Sequence, residues 1–284
     1  MSVERLRTSL ILSTVVLVLM AIASFAGVFF EGLYRDNVWA ASQWRGADVV
    51  RLFVAVPLFA GAIYFTRQGS IRGLLVWLGF LLLAVYDYAF YLFAAAFNEM
   101  FLLYTAIFSL SIAALIWALP QIDVQAIRQE FTGGVPRRLI SGYLVFWVLM
   151  LGGLWVAMSI AFLFTGNVPQ SVIDSGHPTA IIFALDLAIL LPSAGLAAVW
   201  LWQDRPWGYV LAVMVNVKGA LYALALISMG VFMERAGIEA GGLLFLWMFL
   251  TVASLLAALG LLWNMRGSRA GQSVETSAPA EKLV

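Results

Sequence analysis

Residues 186–222 read DLAILLPSAGLAAVWLWQDRPWGYVLAVMVNVKGALY, two apolar runs joined by a short polar turn at residues 203–206. Each run is long enough for a helix that crosses a bilayer core of about 30 Å. Asp186 lies on the first predicted helix and Lys218 on the second. A charge that faces hydrocarbon is costly, so such residues face the interior of a helix bundle and find partners there. This stretch therefore predicts a transmembrane hairpin that holds an acid and a base.

The rest of the chain has the same apolar character. Of its 284 residues, 63% are hydrophobic and 11% are charged, and the mean hydropathy is +0.98. Soluble domains are much more polar than this. Runs of about 20 apolar residues recur, without the polar–apolar alternation that is typical of barrel strands. The predicted fold is an all-α, polytopic transmembrane helix bundle.

Eight such runs are predicted to cross the membrane and to form one transmembrane domain, residues 1–265. The first run is too long for a cleaved signal peptide, so we expect it to be retained. Residues 266–284 are small and polar and are expected to form a disordered cytoplasmic tail. The predicted spans, numbered 1 to 8, are about 10–30, 49–66, 73–96, 101–119, 139–165, 178–202, 208–232 and 241–264.

Lysine and arginine gather in the loops on one side of the predicted bundle. Both termini and the even-numbered loops hold basic residues such as Arg67, Arg128 and Arg266, whereas the third, fifth and seventh loops hold mainly acids. Loops rich in Lys and Arg remain in the cytoplasm. Both termini are therefore predicted to be cytoplasmic, as an even number of spans requires.

Two loops are predicted to lie on the membrane surface. Trp39 and Trp44 in the first loop, about residues 31–48, are expected at the interface, where indole rings prefer to lie. The fourth loop has apolar residues at near-helical spacing, Ile122, Val124, Ile127 and Phe131. This spacing predicts a short amphipathic helix on the cytoplasmic surface, ended by Gly133 and Gly134.

A shift of 135 residues aligns the two halves of the chain, about residues 1–120 and 135–265. Identical residues then coincide, among them Pro57 with Pro192, and the predicted span boundaries coincide with them. The alternative explanation is the hydropathy that all spans share. The alignment predicts a parallel repeat of four spans in each half, related by an axis along the membrane normal.

In this repeat each half holds one acid and one base on neighbouring spans, Arg51 with Asp87 and Lys218 with Asp186. These four charges sum to zero, as expected of a buried cluster. Tyr222 lies one helical turn from Lys218, on the same face. We expect these five residues to form a site for a small polar solute or a proton. The Lys218 ammonium should lie near Asp186 or Asp87, with Tyr222 bonded to one of these carboxylates.

The segments DLAILLP, RPWGYVLA and VKGALYALALISMG, in spans 6 and 7, resemble a group of uncharacterised bacterial multipass membrane proteins. The resemblance is confined to these two spans. It implies residence in the bacterial inner membrane and carries no activity.

Several classes of site are disfavoured by composition. The chain has no cysteine and a single histidine, His177, which excludes thiolate and His-rich metal sites. It has no nucleotide-binding loop, diphosphate-binding motif or Ser/His pair, so no cofactor and no catalytic residue is expected. A lysine on span 7 and an aspartate on span 3 are also found in retinal proteins. Those proteins, however, have an acid four residues before the lysine, where this chain has Met214. The net charge of +1 gives no reason to expect nucleic-acid binding.

The sequence thus predicts an integral membrane protein in contact with the lipid bilayer, either a transporter or a transport-associated subunit with a partner subunit. One alternative is a structural or interaction protein whose buried ion pairs only fix helix packing. Another is an intramembrane enzyme that acts on lipid.

The topology can be tested with reporter fusions. Reporters joined after residues 70, 130 and 205 should be cytoplasmic, because the basic loops lie there. Reporters joined after residues 98, 172 and 237 should be outside. One inverted result among the later fusions would mean that the predicted number of spans is wrong.

Overall fold

The computed structural model describes residues 3–239 and 241–266. Within these ranges, eight helices are long and apolar enough to cross a membrane, which confirms the predicted fold class. The tail that was predicted to be disordered lies outside the described residues, apart from Arg266. In chain order, spans 1 to 8 are Glu4–Phe29, Val38–Arg67, Ile71–Ala94, Phe101–Gln121, Arg137–Thr165, Ile181–Trp202, Pro206–Arg235 and Leu244–Trp263.

Spans 3 and 7 form the centre of the bundle. In the most apolar part of span 3, 89% of the residues are buried, and the corresponding fraction in span 7 is 78%. In span 5 it is only 17%. Span 3 packs against spans 2, 4, 6 and 7, and span 7 packs against spans 2, 3, 6 and 8. Both helices are apolar on all sides, as expected of helices enclosed by others. The charges of Asp87 and Lys218 therefore lie on the two most enclosed helices.

Span 2 begins much earlier than the sequence predicted. The residues from Val38 onward are helical, and Asn37 caps this helix by accepting a hydrogen bond from the Ala40 amide at 2.9 Å. Trp44 is buried inside the bundle, with 1% of its surface exposed, so its predicted interfacial position is wrong. The segment is as polar as a loop, but it is helical, and its polar residues such as Asp48 face the bundle interior.

Eight crossings place both described ends of the chain on one side of the bundle, here called the terminal face. A short helix, Val124–Glu130, covers part of this face, so the helix predicted in the fourth loop is present, but it packs on the bundle and not on the membrane surface. It ends at Glu130, before the two glycines. Its apolar side is buried against the protein, since Ile127 and Phe131 are 2% and 3% exposed and the Phe131 ring lies 4.5 Å from that of Tyr209.

Asp204 ties this short helix to the turn between spans 6 and 7. Arg128 donates to its two carboxylate oxygens at 2.8 and 2.9 Å, and the Tyr209 hydroxyl donates at 2.6 Å. Arg137 lies 2.8 Å from the same carboxylate. The hydrogen bonds from Arg128 are the main reason why the pKa of Asp204 falls to about 2. Asp204 also has a φ of 60°, a conformation that Asp adopts more readily than most residues other than glycine.

Spans 2 and 6 each contain a π-helical turn, Arg51–Ala55 and Asp186–Leu190. In each turn the first carbonyl accepts a hydrogen bond from the amide five residues later, whereas in an α-helix the donor is four residues later. Pro57 and Pro192 lie two residues beyond the ends of these turns. A proline has no amide hydrogen and its ring crowds the carbonyl four residues earlier, and a wider turn accommodates both effects. Both π turns begin at a buried charged residue.

The parallel repeat remains a hypothesis. The two π turns are 135 residues apart, and so are the first residues of spans 3 and 7, Ile71 and Pro206. Spans 4 and 8 do not keep this spacing, since they begin at Phe101 and Leu244. A superposition of the two halves about an axis along the membrane normal would test the repeat.

The outer spans pack together more tightly on one side of the bundle than on the other. Spans 1 and 4 pack along each other. Spans 5 and 8 stand further apart and meet at few points. One of these is the Tyr143 hydroxyl, which lies 2.7 Å from the Ser254 hydroxyl, and another is Phe146, whose ring lies 6.3 Å from that of Phe249.

Span 2 approaches the backbone of span 7 at Gly46. A Cβ atom there would lie 2.7 Å from Met229 Cα and 2.8 Å from the Ser228 carbonyl oxygen. We expect Gly46→Ala to lower the free energy of unfolding by roughly 1–3 kcal/mol, because backbone atoms cannot move aside cheaply. The measurement is thermal unfolding of the purified protein in detergent. Gly61→Ala, also on span 2, is the matched control, because a Cβ at that site meets no atom within 4 Å. Equal melting temperatures for the two variants would contradict the close approach.

Candidate functional site

Arg51 joins two carboxylates inside the bundle. Its Nε donates to Asp87 Oδ2 at 2.8 Å, and its Nη1 donates to Asp48 Oδ1 at 3.3 Å. All three side chains are at most 3% exposed. A buried guanidinium needs such partners, because it has five N–H donors and does not lose its charge. The ion pair expected between Arg51 and Asp87 is present, and Asp48 extends it.

Two tyrosines complete this first cluster. The Tyr91 hydroxyl accepts a hydrogen bond from Arg51 and lies 3.1 Å from Asp48 Oδ1 and 3.2 Å from a backbone carbonyl. Its single proton goes to one of these two acceptors at a time. Tyr34 donates to the other oxygen of Asp48. A Cβ atom at Gly27 would lie 1.8 Å from that oxygen, so span 1 can pass the cluster only with glycine at this position.

The second cluster is centred on the Asp186 carboxylate. The Tyr86 hydroxyl donates to its Oδ1 at 2.6 Å, and the Trp155 indole N–H donates to its Oδ2 at 2.8 Å. The carboxylate on span 6 is thus bound to side chains of spans 3 and 5. It is 1% exposed, and each of its oxygens can accept a further hydrogen bond.

The ammonium group of Lys218 lies between two aromatic rings. Its Nζ is 3.4 Å from the ring centroid of Tyr86 and 4.0 Å from that of Tyr222. Lys218 is fully buried, and within residues 3–239 and 241–266 no hydrogen-bond acceptor and no ion-pair partner contacts its Nζ. A desolvated cation–π contact contributes about 2 kcal/mol, whereas burial of an ion costs several kcal/mol. The two rings therefore compensate the charge only in part.

The two clusters form one buried network, because Lys218 lies within electrostatic range of Asp87 in the first cluster and of Asp186 in the second. Among the described residues, the buried charged side chains are three acids and two bases, Asp48, Asp87, Asp186, Arg51 and Lys218. If all five are ionised, the net charge is −1. The sequence predicted zero, because Asp48 was assigned to a loop. A net charge in an apolar interior is unfavourable, so this network favours the binding of one more positive charge.

The structure places the five predicted site residues inside the bundle: Arg51, Asp87, Asp186, Lys218 and Tyr222. Arg51 and Asp87 are in direct contact, whereas Lys218 and Asp186 are connected through Tyr86. The hydroxyl that bonds Asp186 belongs to Tyr86, whereas the sequence predicted that Tyr222 would bond either Asp186 or Asp87. Tyr222 instead covers the ammonium group and packs edge-on against Tyr86, with 5.1 Å between ring centroids.

Five members of the network were not among the predicted site residues, namely Asp48, Tyr34, Tyr86, Tyr91 and Trp155. Asp48 lies three residues before Arg51, a spacing at which helical side chains meet, and a longer span 2 would have revealed it. No comparable signal marks Tyr34 or Trp155, because aromatic residues are frequent along the whole chain.

His177 lies outside this network, in the connection between spans 5 and 6. Burial lowers the pKa of its imidazole, while the nearby Asp36 carboxylate acts in the opposite direction. Its ring lies 6.2 Å from those of Trp44 and Phe90. These surroundings are those of a histidine packed against aromatic rings.

Comparison of the chain with protein-family models, with curated proteins and with solved structures finds no match. The function must therefore be inferred from the geometry of the network.

The network predicts a large difference between buried and exposed ion pairs. Arg51→Met leaves Asp48 and Asp87 without their counter-charge, and we expect it to lower the free energy of unfolding by roughly 3–5 kcal/mol. Arg35→Met breaks a pair with Glu99 in which both side chains are more than half exposed, and it should cost about 1 kcal/mol or less. Thermal unfolding of both variants in the same detergent measures the difference. If Arg51→Met were as stable as Arg35→Met, Arg51 would not be holding the two acids.

Proposed function

We propose that this chain is a membrane-transport protein, or the membrane subunit of a transporter, and that the buried network is its site for a proton or a small polar solute. The observation that supports this proposal is the excess of acids over bases in the network. Intramembrane ionisable residues commonly mark ion pathways and proton relays. Residence in the bacterial inner membrane, with the terminal face in the cytoplasm, belongs to the same proposal.

The network also has polar atoms that lack partners. In the described part of the chain, Asp87 Oδ1 receives no hydrogen bond and Lys218 Nζ donates none. The neighbouring Asn216 also has an unpartnered Oδ1. Buried polar atoms are nearly always bonded, and an exception calls for a water, an ion or a functional role. These atoms offer acceptors and a donor to a polar solute or to water, on the two central spans.

A purely structural role for the charges is the main rival. It suits the Arg51 cluster, where most donors and acceptors satisfy each other. It does not account for Lys218, whose ammonium is fully buried and contacts two aromatic rings, while Asp186 and Asp87 lie within electrostatic range but do not accept a hydrogen bond from it. A lysine that served packing alone could be replaced by an apolar residue without this cost.

Proton flux into proteoliposomes tests the proposal. A potassium gradient with valinomycin sets a negative interior, and a trapped pH-sensitive dye reports proton entry. The wild-type protein should acidify the interior faster than protein-free liposomes do. Asp87→Asn and Asp186→Asn should each reduce this flux at least tenfold, because an amide cannot carry the proton.

Glu99→Gln is the control, because it removes an exposed acid of the Arg35 surface pair. It should leave the flux unchanged. If the wild-type flux equals that of empty liposomes, or if both aspartate variants keep full flux, proton binding by the network has no transport role. The choice would then lie between a site for another polar solute and a purely structural role.

A further inference from the structure

A cavity of about 100 Å³ lies beside the buried network, between spans 5, 6, 7 and 8. Its walls are mainly aromatic and aliphatic, and Trp147, Trp155, Trp247 and Tyr222 supply the aromatic part. Asp186 is the only charged residue among the described residues that line it. Spans 5 and 8 stand apart here, so the cavity follows from the looser closure of this side of the bundle.

The residues that line this cavity favour a cation over an anion or a neutral molecule. Aromatic faces carry partial negative charge and attract cations, and they do so most strongly in desolvated sites. Asp186 adds a negative charge, with Lys218 within electrostatic range of it, and each of its oxygens has acceptor capacity left beyond the bonds from Tyr86 and Trp155. An anion would be repelled by this lining, and a neutral apolar molecule would leave the carboxylate unused.

Lys218 does not occupy this cavity. Its side chain is absent from the lining, and its ammonium is held between the rings of Tyr86 and Tyr222. With three acids and two bases, the network has one negative charge in excess when all five side chains are ionised. A single positive charge in the cavity would bring the buried total to zero.

We propose that this cavity binds a small organic cation, such as a methylated ammonium group, with Asp186 as its counter-ion and the three tryptophans as its walls. The cavity is somewhat smaller than the apolar cavity of about 150 Å³ that accepts benzene, so the group it holds has about four to six non-hydrogen atoms. The inference deepens the proposed function, because Asp186 belongs to the same network, and it names the chemical class of the solute.

Binding is tested with tetramethylammonium chloride and its neutral isostere tert-butanol, at constant ionic strength set with sodium chloride. The full-length protein is placed in lipid nanodiscs, and its tryptophan fluorescence is followed. Tetramethylammonium should give a saturable change, and tert-butanol should bind at least tenfold more weakly. Asp186→Asn should weaken tetramethylammonium binding at least tenfold and abolish the preference over tert-butanol.

A matched pair of tryptophan variants on span 8 keeps the test independent of Asp186. Trp247 lines the cavity, whereas Trp263 is 87% exposed. Trp247→Leu should weaken tetramethylammonium binding several-fold, and Trp263→Leu should leave it unchanged. If Asp186→Asn does not fold, the comparison of these two tryptophan variants still tests whether the cavity binds the cation.

Three results would overturn the proposal: no saturable binding by the wild-type protein, equal binding of tert-butanol, or equal effects of the two tryptophan variants. Equal binding of tert-butanol would mean that the cavity does not select for positive charge. The proton-flux assay is run without any organic cation, so its outcome is independent. Flux without tetramethylammonium binding would retain the proposed function and reject only this solute class.

Discussion

The cost of placing charge in an apolar interior governs this structure. Five charged side chains are at most 3% exposed, and each lies on a helix that must bring it to a partner. Arg51 meets this requirement most fully, with two carboxylates and a tyrosine around one guanidinium. The rotation and depth of spans 2 and 3 are thereby fixed relative to each other. Gly27 on span 1 and Gly46 on span 2 then allow the neighbouring backbones to close around them.

The two clusters differ in how completely they are satisfied. Around Arg51, most donors and acceptors satisfy each other, as expected of a rigid anchor, although two acids face one base. Around Lys218, an ammonium rests on two rings and the nearest acid is bonded to other donors. The incompletely satisfied cluster also lies beside the cavity and beside the loosely packed spans 5 and 8. Function is therefore best sought in this part of the bundle, with the Arg51 cluster as its support.

Most of the fold could be predicted from the sequence, because the length and hydropathy of a span follow directly from the bilayer thickness. The exception was the start of span 2, where Asp48 and its polar neighbours resembled a loop although they face inward. Charges within apolar runs marked Arg51, Asp87, Asp186 and Lys218 for the same physical reason. Their contacts could not be predicted, since the choice of Tyr86 over Tyr222 depends on how spans 3 and 7 are rotated. Trp155 differs from other aromatic residues only in the packing around it.

The π turns in spans 2 and 6 place one additional residue in each helix without interrupting it. A π turn winds this additional residue into nearly the same rotation, so the two parts of the span keep the orientation of an α-helix that is one residue shorter. Deleting one residue after the charge would therefore leave Arg51 or Asp186 facing the network. The deletion would instead tighten the turn around the proline, whose ring would then crowd the carbonyl four residues earlier. Alignments of related sequences should for this reason show a one-residue gap in these turns only where the proline is also absent.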